Sequence, residues 1–348
     1  MWQEINDFSS VDIDKAITSG FQYLLSQRKN GKWTGFSTMA GTSDIWVTGF
    51  ILTHISSLKE STELFQSSYQ FLVDSQHESG GWSYSKIVPP DSDSTSWCIS
   101  ALKPTPYFTR SVHQASTNFL WSNLSGKGLA TYGPGSKIKE FISAPSDDLL
   151  KGWTSPHPDV SAAAMLADPE SKHADHLQKW LEELCQHQGF IKSYWWRNLM
   201  YTTALYLRYL RLKSMQLSPE WREKLLILLK LKQLQCGGFN IDGENEMDPF
   251  VTALAIEILV YLLDFKSKKT IIKSAKTLIG TQLPDGSWKG NFNMRIPAPF
   301  VIDPEQVESY HNSDIGGNSL VMDEGGLFAT ALSCYSLNLV QNYLKTAS

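Results

Sequence analysis

The sequence has few cysteines, and they are widely separated. Its 348 residues include four, and no two of them form a CxxC pair or part of a disulfide-rich framework. They are Cys98, Cys185, Cys236 and Cys334. This usage is typical of a reducing compartment, so we expect a cytoplasmic protein.

Long apolar runs and basic runs are also missing. The most apolar segment, 250–263, is interrupted by Glu257, and the amino terminus has no basic region followed by an apolar stretch. We therefore expect no signal peptide and no transmembrane helix, while peripheral contact with a membrane stays open. Basic residues number 31 against 35 acidic residues, for a net charge of -4, and nucleic acid is not an expected partner.

The sequence does contain an internal repeat of a glutamine, a glycine turn and an aromatic residue. The five copies are Gln27 to Trp33, Gln76 to Trp82, Gln186 to Phe190, Gln235 to Phe239 and Gln282 to Trp288. Three pairs of neighbouring aromatics are 49 residues apart. The interval from Trp82 to Phe190 is 108 residues, which predicts a degenerate copy between them, near 126–133.

A hydroxyl residue followed by a small residue begins an apolar helix in each unit. These positions are Thr48, Thr95, Ser161, Thr203, Thr252 and Thr330. The helices that follow are apolar on nearly all sides, which indicates burial, whereas the helices before each glutamine are amphipathic. The pattern predicts an all-α fold, a single six-hairpin α/α toroid made by residues 1–348 as one domain, with the inner helices starting at one mouth of a central cavity.

Two connections, 133–158 and 290–324, are longer than the repeat requires. Long segments without regular structure in a compact domain are commonly lids or binding loops. We expect the second, which carries MRIPAPFVIDPEQVESYHNSD, to lie over the cavity mouth.

An acidic segment precedes the inner helix of the second unit. It reads PPDSDSTSW and contains Asp91, Asp93, Ser94 and Thr95. Asp and Ser are favoured at helix starts, so DSDST alone would most often be a helix cap. At a cavity mouth, however, two neighbouring carboxyl groups raise one another's pKa, and one can stay protonated near neutral pH.

Together, the repeat, the toroid pattern and the DxD(D/S)T element resemble the class II terpene cyclases, relatives of squalene-hopene cyclase. The resemblance covers nearly the whole chain and is greatest for the monodomain cyclases of bacterial meroterpenoid pathways. It implies that Asp93 is the catalytic acid, with Asp91 and Thr95 in supporting positions. Ser94 stands where the family usually has another Asp, which removes one carboxylate from the motif.

The resemblance implies that a neutral Asp93 protonates the end of a polyene and that successive double bonds then attack the cation. Such cations require stabilisation by aromatic faces. The aromatics near the inner-helix starts are Trp46, Trp97, Trp153, Tyr194, Trp195, Trp196, Tyr201, Phe250 and Phe328. Each of them, taken alone, would more often be core packing.

The same resemblance implies a prenylated aromatic acid of the hydroxybenzoate type as the substrate, and a small single barrel is consistent with a farnesyl-sized tail, shorter than squalene. Arg197 is a candidate contact for an anionic head group, as is Arg295 in the second long connection. No cofactor or metal is expected, and Mg²⁺ could be recruited only by a diphosphate substrate. His54, His157 and His311 are candidate partners of Asp93 by rough location alone.

Other protein classes share this toroid, so the fold alone does not decide the function. Protein prenyltransferase β-subunits and lanthionine cyclases need zinc ligands that include Cys and His, and the sequence has neither an Asp-x-Cys with a suitable His nor a Cys-His dipeptide. A glycosidase would need paired carboxylates, for which Asp93 with Asp248 or Glu324 could serve. The remaining alternatives are a drimane-type cyclase acting on farnesyl diphosphate and a non-catalytic, prenyltransferase-like toroid that binds isoprenoids.

Overall fold

The computed structural model describes residues 10–38, 40–58, 62–262, 267–311 and 317–346. Its helices are α1 (Ser10–Gln27), α2 (Ile45–Ile55), α3 (Gln66–Asp74), α4 (Ser92–Leu102), α5 (Arg110–Ser122), α6 (Ile138–Phe141), α7 (Pro158–Ala167), α8 (Lys172–Gln188), α9 (Tyr201–Leu212), α10 (Pro219–Lys232), α11 (Pro249–Tyr261), α12 (Lys268–Gly280) and α13 (Leu327–Thr346). The first nine residues, on which the signal-peptide expectation depends, lie outside the described residues. So does the segment 312–316 of the second long connection.

Two concentric rings of helices make up the fold. The outer helices are α1, α3, α5, α8, α10 and α12, and the inner helices are α2, α4, α7, α9, α11 and α13. Each inner helix packs against the next one, and α13 packs against both α2 and α1, which closes the ring. The predicted six-hairpin α/α toroid is confirmed. No helix in the described part of the chain has the length and apolar character needed to cross a membrane.

The two rings differ in how much of each helix is buried. In α11 the buried positions run without a break from Pro249 to Val260. In α8 the buried side chains are Ala174, Leu177, Leu181 and Cys185, spaced three or four residues apart on one face. Because burying a large aliphatic or aromatic side chain contributes about 1.5–3 kcal/mol, the inner ring supplies much of the hydrophobic stabilisation.

One type of hydrogen bond explains the repeat. In every unit, a backbone N–H at or next to the aromatic position donates to the hydroxyl at the start of the inner helix, at 2.9–3.1 Å. The pairs are Trp33 with Thr48, Trp82 with Thr95, Leu129 with Ser161, Ile191 with Thr203, Phe239 with Thr252 and Trp288 with Thr330. Leu129 therefore marks the degenerate copy expected near 126–133.

The repeated glutamine closes the glycine turn. In three units its side-chain amide donates to the carbonyl of a glycine four residues later, as Gln76 does to Gly80 and Gln282 to Gly286, both at 2.8 Å. In the fifth unit this role belongs to Gln233, which donates to Gly237 at 3.0 Å. The sequence interpretation, which placed the repeat glutamine at Gln235, was wrong by two residues because QLQ offers two glutamines and the turn uses the first.

Short two-stranded ribbons lie in the connections. They are β1 (Ser37–Thr38) with β2 (Gly41–Thr42), β3 (Leu124–Ser125) with β4 (Gly128–Leu129), and β5 (Met294–Ile296) with β6 (Ser319–Val321). All three pairs are antiparallel, and Arg295 lies opposite Leu320.

The two long connections pack against each other. The amide of Gly152 donates to the Pro299 carbonyl at 2.8 Å. A Cβ atom at position 152 would lie 2.1 Å from the Val301 carbonyl oxygen, so only glycine permits this approach. The second connection thereby covers one side of the cavity mouth.

A buried ion pair lies among the carboxyl-terminal halves of the inner helices. Arg208 makes two hydrogen bonds to Glu257, at 2.8 and 2.9 Å, and its guanidinium carbon lies 4.6 Å from the Tyr335 ring centroid. The arginine also contacts Nε2 of His54 at 3.3 Å. These side chains fill the centre of the ring away from the mouth.

Candidate active site

Asp93 projects from the first turn of α4 into a cavity at the mouth of the inner ring. The unfilled space inside this cavity, together with the solvent at its open side, is about 810 Å³. Its wall consists of Phe36, Thr38, Ala40, Trp46, Tyr84, Val88, Asp91, Asp93, Ser94, Thr131, Tyr132, Ile138, Phe141, Ile142, Trp153, Trp195, Met294, Arg295, Ile296 and Val321. Polar groups on this wall are few, so it suits an apolar molecule with one polar end.

The acidic motif divides into a helix cap and a free acid. Asp91 is the N-cap of α4, and its two carboxylate oxygens accept hydrogen bonds from the amide and the hydroxyl of Ser94, both at 2.7 Å. Thr95 donates to the Asp91 carbonyl at 2.6 Å and accepts the repeat hydrogen bond from Trp82 at 2.9 Å. The capping interpretation therefore applies to Asp91, while Asp93 extends into the cavity.

Asp93 is held by an indole from the preceding hairpin. Nε1 of Trp46, in α2, donates to Oδ2 of Asp93 at 2.6 Å. Nε1 of Trp97 also lies near this carboxyl group, although it has no hydrogen bond of ordinary geometry within the described structure. Part of the Asp93 surface is accessible, but it faces the cavity rather than bulk water.

The surroundings of Asp93 favour its protonated form. Burial raises the pKa of Asp93 well above its usual value, and the nearby carboxylates of Asp91 and Asp159 raise it further. The indoles of Trp46 and Trp97 act in the opposite direction because they stabilise the carboxylate. Burial also raises the pKa of Asp91, to about 6, against the hydrogen bonds from Ser94. The balance of these effects favours the protonated form of Asp93.

Asp159 is a third buried carboxylate that the sequence interpretation missed. It lies in the first turn of α7, and its Oδ2 accepts the amides of Tyr194 and Trp195 at 3.1 and 2.8 Å. Its Oδ1 has no hydrogen-bond partner among the described residues, and burial raises its pKa. Asp159 therefore places a carboxylate near Asp93. The motif itself has one carboxylate fewer than usual, because Ser94 occupies the position where the family usually has an Asp. A Pro-Asp pair at a helix start was the only signal in the sequence.

Only part of the predicted aromatic set lines the cavity. Trp46, Trp153 and Trp195 belong to its wall. The other predicted wall residues, which the structure places behind the wall, are Trp97, Tyr194, Trp196, Tyr201, Phe250 and Phe328.

Several of these inner aromatics form a packed layer under the wall. Trp196 stacks on Tyr201 at 4.0 Å and on Phe250 at 5.0 Å between ring centroids. Phe328 meets Trp46 edge to face at 5.3 Å. The structure does not place these residues on the wall. Trp196 points away from it while its neighbour Trp195 lines it, and Trp196 and Phe328 pack behind Trp46.

The cavity wall also contains aromatics that were not predicted. Phe36 and Tyr84 follow the repeat aromatics of the first two units, and Tyr132 lies in the degenerate copy. Ile138, Phe141 and other apolar residues come from the two long connections. For Ile138, Phe141 and the other residues from the long connections, the sequence signal was only the length of those connections.

The two candidate arginines differ in position. Arg295 lines the cavity and donates to the carbonyls of Tyr194 at 3.0 Å and Ser193 at 2.7 Å, while its Nη1 contacts Glu305 at 2.6 Å. Arg197 is not part of the wall, because its guanidinium binds the Phe292 carbonyl and Glu244 on the outside. Arg197 as a head-group contact was therefore wrong in position.

The histidines do not contact Asp93. His54 belongs to the ion-pair cluster, where burial lowers its pKa well below the usual value. His157 lies behind the cavity wall, hydrogen-bonded to Thr131. His311 contacts the Gly317 carbonyl in the second connection.

Neither the glycosidase arrangement nor a metal centre is formed by the described residues. Asp248 caps α11 by accepting the Val251 amide at 2.8 Å and also accepts from Asn293, and neither it nor Glu324 belongs to the cavity wall. No group of three or more His, Cys, Asp or Glu side chains in the described parts of the chain is placed to hold a metal ion.

Comparison with solved structures places the fold among the type II terpene cyclases, although no family model and no curated protein sequence matches the chain. The type II terpene cyclase MstE from Scytonema, in an aspartate-to-alanine variant bound to its product merosterolic acid A, superposes with a TM-score of 0.87 at 25% identity over 95% of this chain and 98% of that one. An arginine-to-alanine variant bound to its substrate, geranylgeranyl dihydroxybenzoate, gives 0.88 at 24% identity over 99% and 100%.

A more distant structure shares the fold alone. The ent-copalyl diphosphate synthase from Streptomyces platensis has a TM-score of 0.59 at 11% identity over 86% of this chain and 50% of that chain. The resemblance to class II terpene cyclases inferred from the sequence is thus confirmed at the level of structure, and the MstE structures match this chain over nearly their whole length.

Proposed function

We propose that this protein is a class II cyclase that acts as a single domain and closes rings in the polyene tail of a prenylated aromatic acid. The observation that carries the proposal is the position of Asp93 in an aromatic cavity, where burial raises its pKa and Trp46 donates to one of its oxygens at 2.6 Å. Protonation of an alkene needs a neutral acid held in a dry site, and few other reactions do.

The first step follows from the geometry of this acid. Because the Trp46 indole donates to Oδ2, that oxygen is the carbonyl oxygen of the neutral acid and the proton belongs on Oδ1. Oδ1 transfers it to the CH carbon of the terminal CH=C(CH₃)₂ double bond, which leaves a tertiary cation on the dimethyl-bearing carbon. The Trp46 hydrogen bond then stabilises the aspartate that forms, which makes Asp93 a stronger acid than burial alone would allow.

The cavity wall then directs the ring closures. Each cation is attacked by the next double bond, and the faces of Trp46, Trp153 and Trp195 stabilise positive charge without acting as bases. The aromatic layer behind Trp46 keeps its face in place, Trp153 and Trp195 pack against each other, and the sparse polar lining leaves few positions for water.

Arg295 is the proposed contact for the head group. Its guanidinium lines the cavity and is paired with Glu305, whose side chain is 40% exposed. A carboxylate on the aromatic ring could replace Glu305, because a half-exposed glutamate loses little when it turns out into water. The head group would then lie under the second long connection.

The tail length and metal independence are part of the proposal. A farnesyl tail was the expectation for a single barrel, whereas the MstE substrate carries a geranylgeranyl tail. Activation by a carboxylic acid rather than by loss of diphosphate requires no metal ion. A diphosphate substrate would be the exception, since Mg²⁺ could accompany its charge.

The test is product analysis of purified protein, with EDTA present for every substrate and with a second reaction containing Mg²⁺ for farnesyl diphosphate. The substrates are farnesyl and geranylgeranyl dihydroxybenzoate, the methyl ester of each, farnesol and farnesyl diphosphate. We expect cyclised products from a prenylated acid and slower conversion of its ester, which lacks the charge for Arg295. Conversion of the diphosphate alone would favour the drimane-type reaction. Binding of all these lipids without conversion would instead indicate a non-catalytic toroid.

A further inference from the structure

A chain of hydrogen bonds runs from the cavity wall into the protein. Nε1 of Trp195 lies 2.8 Å from Oγ1 of Thr131, and both residues line the cavity. Oγ1 of Thr131 lies 2.7 Å from Nδ1 of His157, and Nε2 of His157 lies 2.8 Å from the Gly152 carbonyl oxygen. His157 itself is 1% exposed, and among the described residues Thr131 connects it to the cavity by a hydrogen bond.

The direction of each hydrogen bond is fixed by its end groups. A carbonyl oxygen can only accept, so Nε2 of His157 carries the proton and Nδ1 presents its lone pair. The hydroxyl of Thr131 must therefore donate to Nδ1. An indole N–H can only donate, so Trp195 occupies one lone pair of the same hydroxyl oxygen. One lone pair of Thr131 Oγ1 is left for a proton from the cavity.

Backbone contacts place this series of hydrogen bonds between Asp93 and Arg295. The Thr131 carbonyl accepts the amide of Ser92, the residue before Asp93, at 2.9 Å. The Trp195 carbonyl accepts the amide of Arg295 at 2.8 Å. A tail that extends from Arg295 to Asp93 passes this part of the wall, and the last ring to close lies nearer the head group than the first.

We propose that Thr131 and His157 together remove the proton that ends the cyclisation, an inference that rests on the proposed function. A C–H bond next to the final cation breaks, and its electron pair forms the new double bond or restores an aromatic ring that has captured the cation. The proton binds Thr131 Oγ1 as the hydroxyl proton moves to Nδ1 of His157. Asp93 has lost one proton and His157 has gained one, so the reaction remains an isomerisation.

The surroundings of His157 suit this role. Burial lowers the pKa of His157 to about 3, so the imidazole is neutral before the reaction. It is still a far stronger base than the double bonds of the substrate, which are the other groups that could accept a proton from the cation. Its ring stacks on Tyr194 at 3.8 Å between centroids, and an aromatic face stabilises the imidazolium that forms. Because the imidazole lies behind the wall, it cannot reach the earlier cations directly.

The experiment compares the products of Thr131→Val and Thr131→Ser with those of wild type, using a substrate that wild type cyclises. Thr131→Val keeps the shape but removes the hydroxyl, whereas Thr131→Ser keeps it. We expect Thr131→Val to consume substrate but to lower the fraction of the wild-type product at least about tenfold, in favour of other alkenes or alcohols from water capture. Thr131→Ser should restore the wild-type product.

Two further variants serve as a control and as an independent test of the proton acceptor. Thr154→Val removes a hydroxyl that bonds the Leu150 carbonyl outside the cavity, and it should give wild-type products. His157→Phe keeps a ring against Tyr194 but has no lone pair. We expect it to give the same altered products as Thr131→Val, and it tests the inference independently if Thr131→Val folds poorly. Wild-type product ratios in Thr131→Val and His157→Phe would overturn the inference while leaving the cyclase function intact. Failure of the proposed function would show differently, as no cyclisation by wild type.

Discussion

Trp46 and Asp93 come from neighbouring hairpins, and the indole N–H of one donates to the carboxyl of the other at 2.6 Å. The contact joins the inner helices of the first two units at the cavity mouth. It sets the strength of the acid, because burial and the charge of Asp91 hold the proton on Asp93 while the indole stabilises the anion left after transfer.

Replacing Trp46 with Phe should slow cyclisation without preventing binding. The ring is kept but the N–H is lost, so the pKa of Asp93 rises further and the group becomes a weaker acid. A hydrogen bond to a charged group contributes about 1.5–3 kcal/mol, which corresponds to a roughly 10- to 100-fold fall in kcat. Trp153→Phe is the matched control, because its N–H donates to the Pro297 carbonyl instead, and a much smaller loss is expected. Equal losses in both variants would contradict this assignment.

Removing the charge of Asp159 should change the pH profile of the reaction. Asp93 acts only while protonated, so activity falls as the pH rises through its pKa. The Asp159 carboxylate raises that pKa, and Asp159→Asn should therefore move the fall in kcat/KM to lower pH. Asp323→Asn is the control, because Asp323 is also buried and accepts two backbone amides but does not act on Asp93. If the pH profile of Asp159→Asn matched that of wild type, Asp159 would act only by positioning Trp195.

Stability should decrease between acidic and neutral pH. Burial raises the pKa of Asp323 to about 7, so the folded protein keeps this proton over a range in which the unfolded chain has lost it. Between about pH 4 and pH 7 the folded state binds more protons, and the free energy of unfolding falls as the pH rises. Asp91, with a pKa of about 6, contributes in the same direction. We expect a flatter dependence of Tm on pH in Asp323→Asn, whereas parallel curves would contradict the assignment.

Breaking the buried Arg208–Glu257 ion pair should destabilise the protein strongly. Glu257 is fully buried, and Glu257→Gln leaves the Arg208 guanidinium without its counter-charge. Loss of one partner of a buried pair costs about 3–5 kcal/mol, measured as the free energy of unfolding in urea. The exposed pair of Lys213 and Glu170 is the comparison, since Glu170→Gln should cost less than about 1 kcal/mol. Similar costs for both variants would show that the ring does not depend on this pair.

The sequence predicts the fold well because each repeat unit is encoded locally. The aromatic position and the hydroxyl residue of a unit are joined by one hydrogen bond, so their spacing recurs whenever the hairpin recurs. Asp93 is found for a related reason, since it lies within a short motif at a helix start. Ser94 binds Asp91, a contact that the motif itself suggests.

The orientation of the aromatics could not be predicted from the sequence. Tyr194, Trp195 and Trp196 are consecutive, yet only Trp195 lines the cavity. Their directions depend on the two hydrogen bonds from this segment to Asp159, a residue 35 positions earlier. Arg295 likewise reaches the cavity through the pairing of β5 with β6, which no local pattern announces.

The central claim is that Asp93 delivers the proton that starts cyclisation, and the most direct measurement is the reaction in D₂O. Wild type and Asp93→Asn are incubated with a prenylated dihydroxybenzoate in the presence of EDTA, and the products are analysed by mass spectrometry and NMR. We expect one carbon-bound deuterium in the wild-type product, at the CH carbon of the former terminal double bond, and no cyclised product from a folded Asp93→Asn that still binds the substrate. Cyclisation by Asp93→Asn at the wild-type rate, or a product without deuterium, would contradict the account.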